Sequence, residues 1–182
     1  MKRLTHVLVG LVALCFTQLL LAQGAIEITR GTDKATPIAV VPFGWQGSAP
    51  LPEDMADITA NDLRNSGMFA PIPRGNMLSY PTRDSEINAR DWRMIGADYV
   101  VVGQVSATGA DAFSLTYSLY NVVREQVVLT RSISGTRTQL RDIAHHLSDE
   151  VFKELTGIQG AFNTKVLYVA AERSKTEPRQ LP

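Results

Sequence analysis

The sequence predicts an α/β domain, a mixed β-sheet packed against two main α-helices and entered through a flexible N-terminal arm. Three observations carry that prediction. Ile38-Ala39-Val40-Val41 and Tyr99-Val100-Val101-Val102 are continuous runs rich in β-branched residues, the pattern of strands covered on both faces. Residues 113–119 alternate strictly, which places Phe113, Leu115, Tyr117 and Leu119 on one face of a strand. Residues 138–156 repeat apolar side chains at helical spacing, with Leu140, Ile143, Ala144, Leu147, Val151 and Leu155 on one stripe. The full order of segments, β-α-β-α-β-β-β-α-β, implies a mixed sheet with helices laid against it.

The chain opens with an export signal. Lys2 and Arg3 form a short basic region, residues 7–16 are an unbroken apolar run, and small residues gather at Ala22, Gly24 and Ala25. The apolar stretch to Ala22 includes Thr17 and Gln18 and falls short of the roughly 20 residues a membrane span needs. Residues 1–22 therefore read as a signal peptide, with cleavage between 22 and 25. The only cysteine, Cys15, lies inside it behind the bulky Leu14, so no disulfide is expected and no lipid attachment. Of 182 residues, 160 remain after removal of 1–22, enough to bury a core. Losing Lys2 and Arg3 leaves 16 bases against 18 acids, a net charge of −2. That balance offers no electrostatic basis for binding nucleic acid or an anionic membrane.

Residues 23–36 have few apolar anchors and read as a loose arm with strand character at Ile26-Glu27-Ile28-Thr29. Residues 37–160 form the predicted domain. Pro37 opens the first strand, which runs to Phe43, and residues 44–52 form a loop around Trp45. Glu53 and Asp54 are expected in the first turn of the next helix, where acids suit its dipole. Met55, Ile58, Thr59 and Leu63, beside Ala56 and Ala60, form its broad inner face, and Gly67 stops it. Residues 69–72 suit an edge strand, since Pro71 and Pro73 cannot serve a central one. Residues 88–96 suggest a short helix with Trp92 and Ile95 turned inward. After a turn near Arg124 and Glu125, Val127, Leu129 and Ile133 continue the inner face on a partner strand. Gly157 ends the last helix, residues 166–171 read as a final strand, and residues 173–182 as a polar tail.

No phosphate-binding glycine loop, nucleophile elbow, paired-cysteine site or metalloprotease helix occurs. Asp142, His145, His146 and Asp149 form the one titratable cluster, with Asp142/His146 and His145/Asp149 each four residues apart. A shared metal needs converging ligands. On a helical wheel the two histidines flank the apolar stripe on opposite sides, so the expectation is two solvent-facing i,i+4 pairs. Ser148 and Asp149 beside a histidine make no triad, because neighbours on a helix diverge. Trp45 reads as a plug over the core ahead of an exposed contact. The arm reads equally as a ragged terminus or as a strand added to a partner's sheet.

The segments IEITRG at 26–31, PIAVVPFGW at 37–45, ITANDLRNSGMF at 58–69, GADYVVVGQV at 96–105 and HHLSDEVFKELTGIQGAFNTKVLYVA at 145–170 together resemble the TolB family. That family is the soluble periplasmic component of the Tol-Pal cell-envelope system. The resemblance spans nearly the whole chain after the signal peptide. It implies an N-terminal α/β domain and a non-enzymatic role linking the inner-membrane TolA to the outer-membrane lipoprotein Pal, in support of outer-membrane integrity and cell division. It also implies that the arm binds the C-terminal domain of TolA, at the matching positions Ile26, Glu27, Ile28, Thr29 and Arg30. That weights the arm toward strand addition. The family continues into a β-propeller that binds Pal and is used by some bacteriocins. Residues 161–182 correspond to its start, and one strand cannot make a blade. Pal binding is therefore carried to no residue here.

The leading functional expectation is thus a periplasmic interaction module without catalytic residue, cofactor or metal. Two alternatives stand beside it: an α/β scaffold of another envelope-assembly machine, and a periplasmic metal-dependent enzyme built on the Asp142/His145/His146/Asp149 cluster.

Overall fold

The computed structural model describes residues 34–47 and 50–165. The first strand is β1 (Thr36–Val40), followed by the two-residue β2 (Gly44–Trp45). Helix α1 (Met55–Asn65) leads to β3 (Phe69–Pro71), and two single 3₁₀ turns lead to the short α2 (Ala89–Met94). Three long segments then run as β4 (Tyr99–Ala107), β5 (Ala112–Asn121) and β6 (Gln126–Thr136). A 3₁₀ turn at Arg137–Gln139 opens into α3 (Leu140–Thr156). The predicted signal peptide (1–22), residues 23–33 of the predicted arm (23–36) and residues 166–182 lie outside the described residues, and Thr36, the arm's last residue, already belongs to β1.

The sheet is mixed, in the order β3-β1-β4-β5-β6. β1 pairs in parallel with β3 and with β4, whereas β4-β5 and β5-β6 are antiparallel. β3 lies at the edge, where Pro71 needs no partner for its missing N–H. The first strand does not run unbroken to Phe43. Val41 N–H still donates to the Val101 carbonyl at 2.9 Å, but Pro42 has no N–H to continue the ladder. Pairing resumes at Gly44 opposite Gln104, four residues beyond Val40 but only three beyond its partner Val101, so one extra residue is accommodated. Phe43 crosses the sheet at this break against Gly103, where a Cβ would meet the Phe43 ring at 3.0 Å and the Thr116 carbonyl at 3.1 Å.

Alternation divides the buried runs between two cores, as strands covered on both faces require. Ile38, Val40, Val101 and Val105 point to one side, with Phe113, Leu115, Tyr117 and Leu119. α1 and α3 cover them with Met55, Ala56 and Leu63 and with the stripe Leu140, Ile143, Ala144, Leu147 and Val151. Ala39, Val41, Val100 and Val102 point the other way, beneath Trp92, Ala89 and Met77, with Ile87 and Ile95 at the margin. The two main helices thus share one face, and a short helix with its flanking loops closes the other.

Two details depart from the sequence pattern. Leu129 and Ile133 sit opposite Leu119 and Leu115 as expected, but a bulge follows, so that Tyr120 pairs with Val127. Val128 takes the place beside the helical core, and Val127 turns to the other face, partly exposed. At α1, Asp54 is the cap and not a first-turn residue: its carboxylate accepts the Asp57 N–H at 3.0 Å. Arg74 donates to the same carboxylate at 2.7 and 2.8 Å. α3 ends as its glycine predicts, with Gly157 at φ 73°.

Candidate functional site

The predicted partner-binding residues, Ile26, Glu27, Ile28, Thr29 and Arg30, lie outside the described residues.

The titratable cluster on α3 disperses. His145 does not face solvent or pair with Asp149: its Nδ1 lies 2.7 Å from Oδ2 of Asp62 on α1, with side chains only 22% and 14% exposed. Asp149 is buried, and its carboxylate accepts the backbone N–H groups of Phe162 at 2.7 Å and Asn163 at 3.3 Å. It therefore fixes the chain that turns back after α3. His146 leans toward Glu150 at 3.7 Å, not toward Asp142. Three of the four side chains, His145, His146 and Asp149, serve separate neighbours, and no group of three His, Cys, Asp or Glu among the described residues is placed to hold a metal.

Ser148 does come close to a histidine and an aspartate, though not to the neighbours in sequence. Its Oγ donates to Asp62 Oδ2 at 2.7 Å and shares the proton with the Ala144 carbonyl at 2.9 Å. A nucleophilic serine must hand its proton to the imidazole, with the carboxylate behind the histidine. Here the carboxylate sits between the two and accepts from both, an arrangement that fastens α1 to α3. Thr59, fully buried on α1, adds a long bond of 3.4 Å to the same Ala144 carbonyl. Asp62 carried no signal in the sequence, since its partners are 83 and 86 residues away.

A second cluster joins the sheet to α3. The buried Tyr117 hydroxyl donates to Glu150, and Arg131 Nε lies 4.0 Å from the same carboxylate oxygen. Burial, and then the bond to Glu150, raise the Tyr117 phenol well above its ordinary ionisation range. A phenol held protonated in this way is a structural donor.

Trp45 is half-buried over the helical core, its ring 5.7 Å from that of Phe113 at a 41° tilt, with the Arg137 guanidinium 5.3 Å from the Phe113 ring on its own account. A cleft of about 300 Å³ lies beside it, lined by Pro42, Phe43, Pro50, Leu51, Met55 and Ala56. The two acids at its margin are engaged elsewhere, Glu53 by Arg141 at 3.0 Å and Asp54 by Arg74. Among the described residues the cleft offers apolar contact and no converging catalytic groups.

Comparison with known proteins agrees with this architecture. Residues 24–128 match the family model of the TolB amino-terminal domain. The Tol-Pal system protein TolB of Pseudomonas syringae pv. syringae is 54% identical over 165 residues, 90% of this chain and 38% of that protein. Its counterpart from Pseudomonas fluorescens is 57% identical over 148 residues, 81% of this chain and 34% of that one. The crystal structure of TolB from Acinetobacter baumannii superposes with a TM-score of 0.61 at 33% identity, covering 71% of this chain and 30% of that structure. The chain thus spans little more than a third of the curated relatives it matches.

Proposed function

The chain belongs to the TolB amino-terminal domain family, and from that premise we propose that it is a non-enzymatic, periplasmic interaction module of the Tol-Pal system. Its arm adds a strand to the C-terminal domain of TolA through Ile26, Glu27, Ile28, Thr29 and Arg30. The observation that carries this reading is the extent of the family match, which begins at residue 24 and so includes the arm as well as the folded domain as far as residue 128. Alternating Ile26 and Ile28 suit strand addition, in which main-chain hydrogen bonds give affinity and alternate side chains give specificity. The dispersal of the α3 histidine cluster into separate structural bonds supports the non-enzymatic side of the proposal.

Residues 1–22 act as the signal peptide, residues 23–36 as the arm and residues 37–160 as the folded body. Through the arm the module supports outer-membrane integrity and cell division. Binding to Pal belongs to a β-propeller and is assigned to no residue here.

The test is calorimetric titration of the TolA C-terminal domain into the chain starting at residue 23, repeated with residues 23–35 deleted. Binding that disappears on deletion supports the arm as the working site. Equal binding by both forms refutes it.

A further inference from the structure

We propose that the rim of the domain at the root of the arm, formed by Asp98, Tyr99, Asn121, Val123 and Arg124, is a second contact surface for the protein the arm holds. It receives an apolar side chain over Val123 and a carboxylate at Arg124. The inference rests on the reading of the arm given above and adds a site to it within the folded body.

Thr36, the first residue of β1, lines a cleft of about 380 Å³ together with these five residues. Between Arg30 and Thr36 the chain can extend by at most ~20 Å, at about 3.3–3.6 Å per residue. A folded partner of ~100 residues has a radius of gyration of about 13 Å and is therefore wider than that tether is long. A partner gripped at residues 26–30 is kept within its own diameter of the cleft.

The turn between β5 and β6 is held in place by several bonds. Glu125 adopts φ 53°, a left-handed conformation that costs energy for a residue with a side chain. Its carboxylate pairs with Arg93, which also donates to the Val122 carbonyl at 3.2 Å. The Val122 N–H donates to the Asp98 carbonyl at 2.9 Å, and the Arg124 N–H to the Asn121 side chain at 2.8 Å. These bonds hold Val123 outward, 67% exposed, beside an exposed Arg124. Among the described residues the Arg124 guanidinium forms no ion pair, whereas Arg93, Arg131 and Arg137 each have an acidic partner. A preorganised apolar residue beside an uncommitted arginine lowers the ordering cost of contact and suits an acidic, partly apolar surface.

The test compares four binders of the TolA C-terminal domain by calorimetry: the chain from residue 23, the same chain with Val123→Ser and Arg124→Glu, the chain lacking 23–35, and a synthetic peptide of 23–35. The unaltered chain should bind about tenfold more tightly than the peptide, and the double variant should fall to the peptide's affinity. Both altered side chains are exposed, so an unchanged melting midpoint is the folding control. Amide resonances of residues 98–99 and 121–124 in the unaltered chain should shift on titration. A peptide that binds as tightly as the chain, a double variant that binds like the parent, or unshifted rim resonances overturns the inference. Undiminished binding after deletion of 23–35 instead overturns the arm reading, and this proposal with it.

Discussion

Replacing Asp62 with alanine should loosen the joint between the two main helices, and the size of the effect follows from what the carboxylate holds. One oxygen, Oδ2, accepts from Ser148 and from His145, both at 2.7 Å, in a place where the side chains are 14–22% exposed. A hydrogen bond to a charged group contributes about 1.5–3 kcal/mol. The lower end applies to His145, which keeps some contact with water. Ser148 contributes about 1 kcal/mol, because its hydroxyl retains the Ala144 carbonyl at 2.9 Å. Relief of the carboxylate's own burial offsets part of the loss, leaving about 2 kcal/mol. For a domain of this size that is a fall of roughly 8 °C in Tm. Urea unfolding followed by circular dichroism should show a lower midpoint with an unchanged slope. A double-mutant cycle of Asp62→Ala with His145→Ala should return a coupling of about 1 kcal/mol. A loss below ~0.5 kcal/mol for Asp62→Ala, or additive single variants, would refute the role assigned to this pair.

Three further outcomes follow from the packing and the ionisable groups. The Arg74 guanidinium holds the Asp54 carboxyl below its ordinary range, so the folded state gains stability above the usual carboxylate pKa and loses it as pH falls through the lowered value. Arg74→Ala should flatten acid unfolding below about pH 4, and Asp54→Ala should in addition cost about 1 kcal/mol of capping, both read by urea midpoints across pH. Tyr117 shifts the opposite way: its raised phenol stabilises the fold at neutral pH, and that contribution is lost as pH climbs beyond about 10. Tyr117→Phe should remove that alkaline slope. Gly103→Ala should cost about 1–3 kcal/mol, because the new methyl meets the Thr116 carbonyl at 3.1 Å and the Phe43 ring at 3.0 Å, and the carbonyl cannot rotate away.

What could be read in the sequence was information carried locally. Unbroken β-branched runs at 38–41 and 99–102 reported burial on both faces, because each residue of such a strand meets one core or the other. Pro71 reported an edge, and Gly157 a left-handed cap, since few other residues suit those backbone positions. Adjacency between distant elements could not be read in the same way. The histidine at 145 has a carboxylate four residues on, which made Asp149 its natural partner, yet α1 packs alongside and presents Asp62. Asp149 is taken instead by amides of the returning chain, whose path depends on where α3 ends. The bulge at Val128 escaped notice for another reason: three consecutive apolar residues at 127–129 satisfy either register, and the partner strand decides.

Strand addition by the arm is most directly tested by amide hydrogen exchange of residues 26–30, measured with and without the TolA C-terminal domain. An added edge strand bonds through every second N–H on the side facing its partner. Slowed exchange is expected at alternate amides across 26–30, appearing only in the complex. Binding that leaves all five amides exchanging at their free rate would contradict strand addition.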